Sequence, residues 1–104
     1  MQRFSAQQLA AYLEHHSPQL IDVREPWEFD ICHIENSQLL PMAQVPSSLA
    51  VFRQAKESVI ICHHGIRSLQ VAHFLAMQGI QNTINLDGGV EDWARYVDLD
   101  MPAY

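Results

Sequence analysis

Val59-Ile60-Ile61, then Cys62-His63-His64-Gly65-Ile66-Arg67-Ser68, then an apolar-periodic stretch from Leu69 to Met77, is the succession that most restricts how this chain can fold. The short apolar run reads as a strand buried on both faces. The periodic stretch reads as a helix over roughly 67–78, with Gly79 at the position that ends it. A strand that passes through a tight loop into a helix is half of a βαβ unit, and such units build parallel sheet. The loop can curl its backbone N–H groups around one point, and the helix aims its positive end at the same place. A cysteine there sits where negative charge is favoured, so the Cys62 thiolate is expected to be stabilised. Gly65 permits a tight or left-handed backbone, and Arg67 can hold two oxygens of an anion in its fork.

The rest of the chain alternates in the same way. Ser5-x-x-Gln8 reads as a capping box that opens the first helix, with Leu9, Tyr12 and Leu13 at helical spacing. Gln19 to Val23 is a short apolar strand that ends in the charged residues Asp22, Arg24 and Glu25. Pro26 then starts a segment whose Trp27, Phe29 and Ile31 read as core or groove lining. Gln38-Leu39-Leu40 is a brief strand stopped by Pro41, and Pro46 to Phe52 a short helix. Ile80 to Leu86 gives another strand, Asp87-Gly88-Gly89 a turn, Val90 to Tyr96 a last helix, and Asp98 to Tyr104 an irregular tail. Strands and helices in this order imply a small parallel sheet with helices on both faces. Right-handed crossovers then put the loops at Asp22, Cys62 and Asp87 on one edge.

At 104 residues, 48% of them hydrophobic and 17% charged, the chain suits one folded domain spanning 1–104. A formal net charge of −6 argues against nucleic-acid binding and against attraction to anionic membranes. Anion binding must therefore come from local groups, which raises the weight of Arg67. The two cysteines, Cys32 and Cys62, are too few for a disulfide scaffold and read as free thiols in a reducing compartment, the cytoplasm. Residues 1–10 have no signal-type apolar region, and no run is long enough to span a membrane.

The loop leaves four residues between Cys62 and Arg67, one fewer than in cysteine phosphatases. The smaller ring is better matched to a single sulfur atom held on the cysteine than to a phosphate. The chemistry this suggests is covalent sulfur transfer in two steps, with ping-pong kinetics and no general base, because the thiolate is already the nucleophile.

At four places the chain resembles the rhodanese, or thiosulfate sulfurtransferase-like, family. These are Asp22-Val23-Arg24-Glu25-Pro26-Trp27-Glu28-Phe29; His33-Ile34 followed by Leu40-Pro41; the loop from Cys62 to Ser68; and Leu86-Asp87-Gly88-Gly89-Val90-Glu91-Asp92-Trp93. The resemblance implies an α/β/α sandwich with a five-stranded parallel sheet. It implies Cys62 as the residue that carries a persulfide, with Arg67 and the backbone of His63, His64, Gly65 and Ile66 as the anion site. Ser68 would cap or orient the loop. Asp22 and Arg24, at the C-terminal end of their strand, read as structural support, with direct contact of Asp22 with substrate the less favoured alternative. It implies a small anionic donor such as thiosulfate, a thiol, cyanide or protein acceptor, and no cofactor. A relay module that hands persulfide sulfur to a protein partner is the alternative; a phosphatase and a silent scaffold are less favoured.

Cys32 stands where the family commonly has glycine, and reads as a tolerated small residue rather than a resolving thiol. His63 and His64 occupy variable loop positions and read as tuning the entrance. Consecutive Cys62, His63 and His64 make a poor zinc site, and adjacent His15 and His16 point in different directions on a helix, so no metal is expected. His73 reads as a mid-helix residue, and Trp27 and Trp93 as core and rim packing.

Overall fold

A computed structural model describes residues 1–104. Five strands, β1 (Gln2–Phe4), β2 (Gln19–Asp22), β3 (Gln38–Leu39), β4 (Ser58–Ile61) and β5 (Thr83–Leu86), form one parallel sheet in the order β1-β5-β4-β2-β3. The helices are α1 (Ala6–Tyr12), α2 (Pro26–Ile31), α3 (Leu49–Gln54), α4 (Ile66–Met77) and α5 (Gly89–Tyr96), with a 3-10 segment at Met42–Ser47. β4 is the middle strand, pairing Leu20 with Val59 on one side and Val59 with Ile84 on the other. The loop after it therefore lies at the centre of the C-terminal sheet edge, flanked by the loops that follow β2 and β5. No helix is long and apolar enough to cross a membrane.

Side-chain alternation along each strand divides the core into two layers. Leu20, Val59, Ile61, Ile84 and Leu86 pack with Ala6 and Leu9 of α1 and Val90 and Trp93 of α5. Ile21, Val23, Ile60 and Cys62 pack on the other face with Phe52 of α3 and Val71 and Leu75 of α4. Cys62 thus follows Ile60 in phase, and its side chain falls on the α4 side of the sheet. This arrangement is the expected α/β/α sandwich.

Four local differences have physical causes. The first element is a strand, not the helix at Ser5: Gln2-Arg3-Phe4 is too short to show alternation, and its pairing partner is the distant β5. The Ser5 capping box itself is present. β5 starts at Thr83 rather than Ile80, because the Gly79 and Ile80 N–H groups bond back to Ala76 and Leu75 and finish α4.

Pro46 lies inside the 3-10 segment and does not start the helix. Lacking an N–H, it cannot bond the Met42 carbonyl as an α-helix would require, and α3 begins afresh at Leu49. Finally, Trp27 is 61% exposed and Ile31 41%, so neither is core. The buried residue of α2 is Glu28.

Candidate active site

Cys62 follows the last residue of β4 and is 1% exposed. Its Sγ accepts the Gly65 N–H at 3.1 Å and the Ser68 N–H at 3.3 Å, and its thiol donates to Ser68 Oγ at 3.3 Å. Both N–H groups belong to the start of α4, for which Gly65 is the N-cap. Such N–H groups have no intrahelical acceptor, so they are free to serve the sulfur. Ser68 is therefore part of the cradle itself rather than only a support.

The loop keeps its shape because its neighbours leave it no alternative. Gly65 has φ +92°, and a Cβ there would come within 2.9 Å of Gly88 N and 3.0 Å of the Leu86 carbonyl oxygen. On the α5 side, a Cβ on Gly89 would lie 2.3 Å from the His63 carbonyl oxygen. That close approach lets the Val90 and Glu91 N–H groups donate to the Cys62 and His63 carbonyls at 3.0 and 3.1 Å. Buried Asn85 donates to the Gly65 carbonyl at 3.2 Å and to Asp87 Oδ1 at 2.7 Å.

Arg67 does not present an open fork. Its Nη1 and Nη2 donate to Glu28 Oε2 and Oε1 at 2.8 and 2.9 Å. The Arg67 hydrogen bonds pull the Glu28 carboxyl down to about 2, against the opposing effect of burial. The same pair raises the Arg67 guanidinium above its ordinary value.

Asp22 and Arg24, both wholly buried, form a second pair. Arg24 Nε and Nη2 hold the Asp22 carboxylate at 2.9 and 2.7 Å, and Nη2 also donates to the Cys32 carbonyl at 2.7 Å. Burial works against the Arg24 charge, but the hydrogen bonds to Asp22 and Tyr104 outweigh it and its pKa rises.

Tyr104 joins the two pairs. Its hydroxyl accepts from Arg24 Nη1 at 2.6 Å and donates to Glu28 Oε1 at 3.0 Å. Its ring stacks on His63 with centroids 4.0 Å apart and stands edge-on to Trp27 at 6.0 Å. Burial pushes the Tyr104 hydroxyl up to about 12, so it remains a donor at neutral pH. The irregular tail is thus folded back over the loop.

His63 and His64 stack at 3.9 Å, and His64 Nε2 lies 3.4 Å from Glu91 Oε2. Burial, and then the neighbouring His64, lower the His63 pKa. Ile66 turns its side chain outward, so only its backbone can serve the loop. Cys32 is a free thiol and lines, with His63 and Tyr104, a cavity of about 40 Å³. His73 is exposed, and His16 stacks on Tyr12 away from the loop.

Sequence reasoning missed Glu28, Asn85 and Tyr104. Glu28 carried a competing explanation, since Glu25-Pro26-x-Glu28 forms a capping box at the start of α2. Asn85 offered one signal, a polar residue inside an apolar strand. Tyr104 offered none.

The rhodanese-like domain model matches residues 5–96. The chain is 37% identical over 87 residues to a probable adenylyltransferase/sulfurtransferase MoeZ of Mycobacterium tuberculosis, covering 82% of this chain but only 22% of that protein. It is 32% identical over 99 residues to the thiosulfate sulfurtransferase GlpE of Pseudomonas aeruginosa, covering 95% of this chain and 89% of that one. Among solved structures, a rhodanese-like domain protein from Staphylococcus aureus superposes with a TM-score of 0.81 at 32% identity, over 89% of this chain and 91% of that one.

Proposed function

The chain belongs to the rhodanese-like family, and from that premise we propose that Cys62 carries sulfane sulfur as a persulfide between a donor such as thiosulfate and a thiophilic acceptor. Sulfurtransferase activity in general is what its relatives support. The observation that carries the finer reading is the cradle: two backbone N–H groups and one hydroxyl converge on a single sulfur at the start of α4. Two free cysteines suit a reducing setting such as the cytoplasm.

In the first step the Cys62 thiolate attacks the outer sulfur of thiosulfate. The new bond is S–S; the bond to the sulfonate sulfur breaks, and its electron pair leaves with sulfite. Cys62 then holds a persulfide whose terminal sulfur bears the negative charge. The Gly65 and Ser68 N–H groups and the Ser68 hydroxyl, which meet Cys62 Sγ itself, would stabilise the sulfur charge as the thiolate attacks and as it is regenerated. In the second step cyanide, a thiol or a protein cysteine attacks the outer sulfur and regenerates the Cys62 thiolate. Ping-pong kinetics follow.

One observation favours a relay variant of this reading. Glu28 already fills the Arg67 fork, so a small dianion gains less from Arg67 than from a free guanidinium. A donor that is a protein persulfide, or an acceptor that is a protein thiol, needs no such fork.

The test is intact mass after incubation with thiosulfate, and separately with a low-molecular-weight persulfide, beside Cys62→Ser. The expected result is a gain of one sulfur that cyanide removes and the variant lacks. Faster loading from the persulfide than from thiosulfate supports the relay. No gain from either donor, with Cys62 shown to be reduced, rules out the persulfide.

A further inference from the structure

Outside the cradle, one group of side chains brings three metal-binding atoms together. His63, His64 and Glu91 each offer one such atom, and the three lie within 4.8 Å of one another. We propose that His63, His64 and Glu91 form a binding site for a late first-row divalent cation such as Zn²⁺, at the outer face of the loop that begins with Cys62. Consecutive Cys62, His63 and His64 are a poor chelating trio; the carboxylate from α5 changes the donor set.

Distance supports the assignment. Bonds of about 2.0–2.1 Å to a tetrahedral ion place neighbouring ligand atoms roughly 3.3–3.4 Å apart. His64 Nε2 and Glu91 Oε2 are already 3.4 Å apart. The longest separation, 4.8 Å, must close by about 1.4 Å, the difference of these two distances, to reach that spacing. Rotation of the exposed His64 and Glu91 side chains, with His64 leaving its stack on His63, brings the three atoms to that spacing.

The backbones that carry the ligands are held against each other. The Glu91 N–H donates to the His63 carbonyl at 3.1 Å, and the Val90 N–H to the Cys62 carbonyl at 3.0 Å. Gly89 permits that approach. The His63 ring is stacked between His64 and Tyr104. The ligand backbones are therefore preassembled, and binding need order little more than the side chains of His64 and Glu91.

Two imidazoles and a carboxylate select for zinc, nickel or copper over magnesium or calcium. Three protein ligands leave a fourth position for water or an incoming ligand. The other paired histidines, His15 and His16, belong to no group of three potential ligands.

None of the three ligands carries the transferred sulfur, and Cys62→Ser removes the competing thiolate. Zn²⁺ is titrated into Cys62→Ser, followed by calorimetry and by the imidazole NMR signals of all six histidines. One equivalent should bind, shifting His63 and His64 while the other four stay in place. His64→Gln and Glu91→Gln, both at exposed positions, should each weaken binding at least tenfold. Binding that survives either substitution unchanged, shifts centred on His15 and His16, or no binding at millimolar Zn²⁺ would overturn the assignment.

Discussion

Glu28 holds both outer nitrogens of Arg67 and receives the Tyr104 hydroxyl as well. This one carboxylate ties α2, the start of α4 and the tail together. Its folded-state pKa of about 2 lies below the ordinary 4.5, chiefly because of Arg67. Above about 4.5 the carboxylate is ionised in both folded and unfolded chains, and its stabilisation is complete. As pH falls from there towards 2, the unfolded chain takes up the proton first and the stabilisation is lost. Glu28→Gln should cost about 1–2 kcal/mol at pH 7, between exposed ion pairs and one-sided loss of a fully buried pair. Urea midpoints of wild type and variant should differ most above pH 5 and converge towards pH 2. Equal midpoints at pH 7 would show that the pair contributes no net stability.

At the scale of elements, the cradle depends on how α4 starts. Gly65 stands at φ +92° with β5 and the following turn packed against it. Gly65→Ala should therefore cost about 2 kcal/mol or more, combining left-handed strain with a backbone clash. Its sulfur loading from thiosulfate should fall with its stability, since the strained residue also supplies one N–H to Sγ. A variant of wild-type stability and wild-type loading rate would show that the loop can take another path. This element was legible in the sequence because cysteine, glycine and arginine follow an apolar strand at short, fixed spacing. The function of α2 was not. Its aromatic and aliphatic residues read as core or groove lining, whereas the segment buries Glu28 and leaves Trp27 outside. A capping box satisfies a carboxylate locally, so nothing in the local pattern pointed from Glu28 to Arg67, 39 residues further on. The tail was unreadable for the same reason, since the partners of Tyr104 are 76 and 80 residues away.

Across the whole molecule, the three-residue strand β1 reaches the cysteine loop through three hydrogen-bonded steps. β1 pairs with β5, and the Phe4 carbonyl accepts the Asp87 N–H at 2.8 Å. Asp87 accepts from Asn85, which also holds the Gly65 carbonyl. The turn at Asp87 then leads into α5, whose first N–H groups hold the carbonyls of Cys62 and His63. The chain of contacts runs from the sheet edge to Cys62 through the backbone, the buried Asn85 side chain and the partly exposed Asp87 side chain. It predicts that removing residues 1–4 does more than expose β5. Loss of the partly buried Phe4 and its ladder should lower stability by about 1–3 kcal/mol. It should also speed hydrogen exchange at the Val90 and Glu91 amides and slow sulfur loading at Cys62. The shortened chain, compared with wild type by hydrogen exchange and intact mass, separates two roles. If the urea midpoint falls while those two amides and the loading rate are unchanged, β1 contributes to stability alone, and the turn at Asp87 holds the loop without it.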